Sequence, residues 1–373
     1  METKKKLVVI GANDFQNQLI LKAKERGIET HVFAWVEGAV GEKTADYFYP
    51  ISIIEKEAIL EECRRIQPTG VVSIASDLAV ITVNYVAEKM GLMGNSLEST
   101  MLSTNKKLMR KAFESNGDPS PKSYCSDELT EEILEQMHFP LIVKPVDRSG
   151  SRGITKVANK EELLEAIKNA EGYSFSKKAV IEEFVDGVEY SVEYISYKGK
   201  HAFLALTQKY TTGAPNFIET GHLQPAPVEE ETLENVKNIV EHALTSLKIQ
   251  NGASHSEIKI SSNGEIKLIE IGGRMGGDCI GSDLVQLSTG YDYVGMVIDV
   301  ACGEKPNFEK VGQPTTAKIE FLFGSEDMYK LEQLKRESPE KIHRISEIEA
   351  FDGHRVIDSS TRYGYYIVKD VEE

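Results

Sequence analysis

Cysteine is scarce in this chain of 373 residues, and the four present are never paired in sequence: Cys63, Cys125, Cys279 and Cys302 lie far apart with no CxxC spacing. That excludes a zinc knuckle and predicts four reduced thiols rather than a disulfide framework. Positive charge is also short. Against 59 Asp and Glu there are 43 Lys and Arg, a formal net charge of -16 spread along the whole chain. Such a surface argues against nucleic acid or an anionic membrane as partner, so any anion must be held by local donors. No apolar run is long enough to cross a bilayer, and Met1 to Lys6 leads into a strand of only four apolar residues, shorter than a signal peptide requires. A cytoplasmic location is expected. Internal repeats and low-complexity tracts are missing too.

The length suffices for two or three domains with full-sized cores. Leu7 to Ile10, a turn at Gly11 and an amphipathic run from Gln16 to Arg26 read as strand, turn and helix, with a strand at 30–34, a helix at 56–66, a strand at 70–75 and a helix at 78–90. This alternation predicts an N-terminal, Rossmann-like parallel-sheet α/β domain over 1–100. Its first turn, Gly11-Ala-Asn-Asp-Phe-Gln16, is not GxGxxG, so no dinucleotide is placed there. From Thr104 a helix carries Asn105 to Arg110 and stops before Gly117-Asp-Pro-Ser-Pro121. Strands at 141–143, 179–182 and 190–195 follow. The polar segment 211–231 reads as a loop over a site, and a helix at 233–247 precedes a hairpin. After Pro306, short strands at 316–323 and 364–368 predict a small C-terminal β-rich unit over 311–373. The central α+β domain then spans 101–310, with a small lobe to about 185 and a large lobe from about 186.

In the hairpin, Ser256 to Ile260 and Glu265 to Ile271 alternate and are rich in β-branched residues, and Asn263-Gly264 between them is a strong turn signal. With a two-residue loop, partner numbers sum to 527, which sets Glu257 opposite Glu270. Opposed Cβ atoms on one face are about 4.5 to 5.5 Å apart. At an effective dielectric near 20, two charges ~5 Å apart repel by roughly 3 kcal/mol. A hard divalent cation, Mg2+ or Mn2+, would relieve this; in another register both acids would simply be solvated.

Two further segments bear on anion binding. Phe139 to Pro145 is a strand ending in Lys144, followed by Val-Asp-Arg148-Ser149-Gly150-Ser151-Arg152-Gly153. Small residues let backbone N–H groups turn inward, and Lys144, Arg148 and Arg152 bring positive charge, a composition suited to wrapping phosphate or to an ordinary solvent turn. The lysine precedes the glycines, so this is no Walker A loop. Downstream, Val180 to Val185 is a strand broken by Asp186-Gly187, able to offer main-chain groups to an adenine edge, with Glu189 near enough for ribose hydroxyls.

Taken in order, these pieces resemble the ATP-grasp family over nearly the whole chain. The motifs are Asn105-Lys106 with Arg110 one turn on; Lys144 before the lid 149–153; the hinge Glu182-Glu183-Phe184-Val185 with Glu189 six residues after Glu183; and Glu257 with Glu270-Ile-Gly-Gly-Arg274. The outer units are similar to those of the biotin carboxylase and glycinamide ribonucleotide branch. The resemblance implies ATP and Mg2+ (or Mn2+): Lys106 and Lys144 on the α- and β-phosphates, the lid (Arg148, Ser149, Gly150, Ser151, Gly153) over the γ-phosphate, the hinge on adenine, Glu189 on ribose and Glu257 with Glu270 on metal. Arg274 would stabilise an acyl phosphate, and His255, two residues before Glu257, is similar to the His-x-Glu of amino-acid ligases. Glu219, His222 and Asp278 are expected to touch substrate. Gly272 departs from the family's usual asparagine, which leaves the second metal position open; Asp278 is a possible substitute or a loop residue.

The expected function is ATP-dependent ligation of a small carboxylate, an amino acid in the first instance, to an amine through an acyl phosphate. A purine-pathway enzyme acting on a ribonucleotide amine and a non-catalytic nucleotide-binding module are the alternatives. Small-molecule carboxylates and amines are the expected partners, and the resemblance allows a homodimer.

Overall fold

The computed structural model describes residues 4–36, 38–148, 150, 152–214 and 217–371. Near the N-terminus, β1 (Lys6–Ile10), β2 (Glu29–Phe33), β3 (Tyr47–Tyr49) and β4 (Gly70–Val72) form a parallel sheet in the order β3-β2-β1-β4. Parallel strands are covered on both faces, hence the unbroken apolar run Leu7 to Ile10. Val8 and Ile10 pack with Ile59, Cys63 and Val86 on one side, while Leu7 and Val9 pack with Leu19, Ile20 and the later helix Tyr293–Ala301 on the other. The turn after β1 is built by Asn13, whose side chain caps helix Asp14–Glu25 in a capping box with Gln16.

The small lobe is the antiparallel sheet β5-β8-β6-β7, made of β5 (Ser123–Cys125), β6 (Leu141–Pro145), β7 (Thr155–Val157) and β8 (Ala179–Glu183), with helix Lys160–Tyr173 packed on it. The expected lid, 149–153, falls in the segment that joins β6 to β7.

The remaining strands are β9 (Val188–Tyr197), β10 (Lys200–Thr211), β11 (Glu219–Gln224), β12 (Gly252–Ile260), β13 (Ile266–Gly272), β14 (Ala317–Phe321), β15 (Ile342–Ile345) and β16 (Tyr365–Lys369). All eight form one antiparallel sheet, β13-β12-β9-β10-β11-β14-β16-β15. The C-terminal strands therefore continue the large-lobe sheet through β14 on β11 rather than making a sheet of their own. Segment 211–231, expected to be a loop throughout, supplies β11. Its period is hidden because His222 and Gln224 are polar yet buried, Gln224 being satisfied by Thr207 and Ser288. Among the described residues no helix is long and apolar enough to cross a membrane.

Period-2 alternation divides the sheet chemically. Tyr190, Val192, Leu206, Ile258 and Leu268 face one way, into a core closed by helix Glu230–Ser246. Glu189, Glu193, Lys209, His255 and Glu257 alternate with them and face the other way.

Candidate active site

The β12–β13 hairpin pairs Glu257 with Glu270, His255 with Gly272 and Ser256 with Ile271, as the sum of 527 requires. Nearer the turn, however, Ile260 pairs with Ile266 and Ile258 with Leu268, a sum of 526. The loop is one residue longer than expected: Ser261 N–H donates to the Glu265 carbonyl, Gly264 N–H donates to the Ser261 carbonyl, and Gly264 has φ +82°. A bulge at Ile269 restores the register before the glutamates, and Arg110 Nη2 donates to the Ile269 carbonyl at 2.5 Å.

Both carboxylates open on a cleft between the lobes whose wall also carries Lys106, Lys144, Lys209 and Arg274. Each meets a lysine: Lys209 Nζ lies 2.6 Å from Glu257 Oε1, and Lys106 Nζ lies 2.8 Å from Glu270 Oε1. Asn105 positions Lys106 by capping helix Lys106–Asn116, so the lysine starts the helix rather than continuing one from Thr104. Lys106 also donates to the Arg148 carbonyl at 2.6 Å, tying it to the lid.

Lys144, buried at the end of β6, is 2.7 Å from Glu182 Oε2, and Arg110 Nε is 2.8 Å from Glu182 Oε1. Burial works against the Glu182 charge, but Arg110 and Lys144 outweigh it and hold the carboxyl at about 2. Glu182 lines the cleft with its carboxylate engaged by Lys144 and Arg110, and the hinge continues as Glu183 to Val185. There the N–H groups of Glu183 and Phe184 already donate to the Lys122 and Pro140 carbonyls, and the Val185 carbonyl accepts from Lys259 Nζ at 3.2 Å. Glu183, Phe184, Val185 and Glu189 all line the cleft.

Of the lid, Arg148, Gly150 and Arg152 line the cleft, while the Arg148 Nε is turned to the Tyr173 carbonyl at 2.8 Å. Gly153 sits against the Tyr173 ring instead of on the wall. Ser149 and Ser151 lie outside the described residues.

Lys209 was not legible in the sequence as a site residue. It stands among three carboxylates, Glu257, Glu189 at 3.0 Å and Glu219 at 3.8 Å. Burial opposes its charge, yet the three acids hold its pKa well above the ordinary lysine value. Glu193, fully buried and opposite His255 in the β9–β12 register, was also missed. It accepts from Gly276 N–H at 3.1 Å and meets His255 Nδ1, leaving Nε2 3.7 Å from Glu257 Oε1. The His255 ring pays a burial penalty that the Glu193 carboxylate exceeds, so its pKa is raised. The signal for both is alternation: 189, 191 and 193 share a face with 255 and 257.

Glu219 reaches the cleft wall, with Oε2 lacking a hydrogen-bond partner among the described residues and its pKa raised by burial. His222 is 1% exposed and set behind the wall; burial lowers its pKa, and its Nδ1 is unpartnered among the described residues. Asp278 is neither a substitute metal ligand beside Glu270 nor a surface residue: Arg362 Nη1 and Nη2 bind it at 3.0 and 2.8 Å, with His222 Nε2 at 3.6 Å. Arg362 comes from the C-terminal tail and rests on the Phe321 ring at 3.6 Å.

Arg274 lines the cleft at the turn after β13. Asp77, at the start of helix Asp77–Met90 in the N-terminal domain, binds it through two parallel hydrogen bonds, 2.7 Å to Nε and 2.8 Å to Nη2. A Cβ on Gly272 would come within 2.8 Å of Asp77 Oδ1 and 3.3 Å of Arg274 Cζ. No asparagine fits there while that pair stands.

Among the described residues no three His, Cys, Asp or Glu side chains converge as a ready metal cage. Two opposed carboxylates nevertheless fit Mg2+, which takes one or two protein carboxylates and completes its shell with phosphate and water oxygens.

Comparison with known proteins agrees with this geometry. The family model described as an ATP-grasp domain matches residues 137–283. Alanine–anticapsin ligase of Bacillus subtilis is 26% identical over 294 residues, covering 69% of this chain and 61% of that protein, so the chain spans under two thirds of this relative's length. The L-amino acid ligase from Bacillus licheniformis superposes with a TM-score of 0.82 at 24% identity, covering 99% of this chain and 94% of that one. Phosphoribosylglycinamide synthetase from Anaerococcus prevotii gives 0.78 at 21% identity, covering 99% and 94%. At these identities the superpositions establish the fold, and residues 137–283 match an ATP-grasp domain.

Proposed function

We propose that this protein is an ATP- and Mg2+-dependent carboxylate–amine ligase acting on an amino acid. The observation that carries it is the cross-strand pair Glu257 and Glu270 opening on the same cleft as Lys106, Lys144 and Arg274. Adenine lies against the hinge at Phe184 and Val185, and Glu189 accepts from ribose. Lys106 and Lys144 neutralise the α- and β-phosphates, and Glu182, paired with Lys144, fixes its direction. Bound Mg2+ supplies charge neutralisation across the phosphates, and Glu257 and Glu270 are its holders.

The substrate carboxylate oxygen attacks the γ-phosphorus, ADP leaves, and an acyl phosphate forms. The amine nitrogen then attacks the acyl carbon, and collapse of the tetrahedral oxyanion expels phosphate. Arg274 has guanidinium N–H groups directed at this charge. His255, its ring oriented by Glu193, donates from Nε2 on the same side. The amino-acid assignment is supported by Glu219, whose unpartnered oxygen suits an ammonium group, and the amine proton leaves with the expelled phosphate. A relative 26% identical over 294 residues is named alanine–anticapsin ligase, which is in keeping with this substrate class.

The test is phosphate release from Mg-ATP against paired amino acids and simple carboxylates, with ribonucleotide amines in separate wells. Release requiring both a carboxylate and an amine is expected. Release only with ribonucleotide amines transfers the protein to the purine type, and nucleotide binding with no release in any well makes it a binding module.

A further inference from the structure

The turn between β4 and helix Asp77–Met90 is fastened to the turn after β13 at two levels. Ala75, at φ +58°, donates its N–H to the Met275 carbonyl at 3.2 Å, and Asp77 grips Arg274 through both carboxylate oxygens. A two-point grip fixes the plane of a guanidinium, where a single contact leaves it free to rotate. Nη1 donates to the Met275 carbonyl at 3.3 Å. With Nε, one Nη2 hydrogen and one Nη1 hydrogen so engaged, one hydrogen on each terminal nitrogen is left for the cleft.

We propose that Asp77 is the positioning residue for Arg274, so that the N-terminal domain sets the geometry of the oxyanion-binding arginine, and that residue 272 is glycine because this cross-domain pair fills the space of a side chain. The role in the reaction rests on the ligase function proposed above; the spatial claim does not. Asp77 touches neither reacting atom. It acts by holding two N–H vectors where the acyl phosphate forms, and a side chain at 272 would push the carboxylate off the arginine. The missing asparagine of the family pattern is thereby exchanged for a carboxylate delivered from another domain.

Two experiments decide it. In Asp77→Asn the amide NH2 faces Arg274 N–H groups and one of the two bonds is lost. The acyl phosphate should then be held loosely and lose phosphate to water, so phosphate released per amide formed rises above the wild-type one-to-one ratio. Turnover to amide should fall by roughly 10- to 100-fold, with the KM for ATP within about twofold. The ratio does not depend on how much of the variant is folded. Separately, thermal unfolding of the ligand-free protein is measured for Gly272→Asn, Asp77→Ala and the double variant. Asparagine at 272 should cost far less Tm when Asp77 has been cut to alanine. An unchanged phosphate-to-amide ratio in Asp77→Asn overturns the positioning role, and additive Tm losses overturn the account of Gly272. If the wild type releases no phosphate with any substrate, the ligase function itself has failed, and the Tm coupling still decides whether the pair owns the space at 272.

Discussion

Replacing Lys209 by methionine keeps the length of the side chain and deletes the one ammonium among Glu257, Glu189 and Glu219. The lysine side chain is 4% exposed and its two nearer partners lie at 2.6 and 3.0 Å. At an effective dielectric near 20, charges ~3 Å apart attract by about 5 kcal/mol before the lysine's own desolvation is subtracted. Breaking a buried pair from one side generally costs roughly 3 to 5 kcal/mol, because the other charge stays behind. At ~2 °C per kcal/mol for a large domain, Tm at pH 7 should fall by about 6 to 10 °C. The pH dependence has a definite sign. Burial disfavours the Glu257 charge, but Lys209 and His255 outweigh it, so the folded pKa lies well below the usual carboxylate range. That stabilisation is present above the unfolded glutamate value of about 4.3 and is lost as pH falls through the folded value. Without Lys209 the crowded acids take up protons readily on acidification. The gap in Tm between wild type and Lys209→Met should therefore be widest near neutrality and close below about pH 4.3. A scanning calorimetry series from pH 7 to about pH 3 reads it. A loss under about 2 °C, or a gap that widens on acidification, would refute the electrostatic account of this cluster.

Glu270→Gln should leave ATP affinity, measured by titration calorimetry, within a few-fold of wild type while turnover drops about 100-fold or more, equivalent to ~2.7 kcal/mol of transition-state stabilisation; undiminished turnover counts against the metal role. His255 has a pKa raised above 6.5, so its stabilising contribution is full below the unfolded value and fades as pH rises through the folded one. Glu193→Gln should shift the His255 ring titration, followed by NMR, to lower pH, and an unmoved titration would show that Glu193 is not its partner. Glu219→Gln should raise the KM for the amino-acid substrate and leave that for ATP unchanged; equal effects on both would place Glu219 away from the substrate.

Local patterns carried much of the architecture. The run Leu7 to Ile10 and the helices over 56–66 and 78–90 were readable because a parallel sheet buried on both faces demands continuous apolarity and its helices demand a 3.6-residue period. Alternation with Asn263-Gly264 was enough to oppose Glu257 and Glu270, although the loop was misjudged by one residue and the bulge at Ile269 made up the difference. β11 escaped notice because two of its buried residues, His222 and Gln224, are polar, the latter satisfied by partners distant in sequence.

The chain order of Lys106, Lys144, Glu183, Glu257 and Glu270 is written in the sequence, and the family resemblance carried by that order implies their roles. Which charges compensate which is not: Lys209 stands 48 residues from Glu257, Glu193 stands 62 from His255, and Asp77 stands 197 from Arg274. Ion pairing depends on a separation of a few ångströms between atoms that only strand register and domain docking bring together, so no local pattern encodes it. Gly272 shows the division clearly. The sequence alone marks it as a missing ligand, and the packing of the N-terminal domain against the large lobe turns that absence into room for a carboxylate on Arg274.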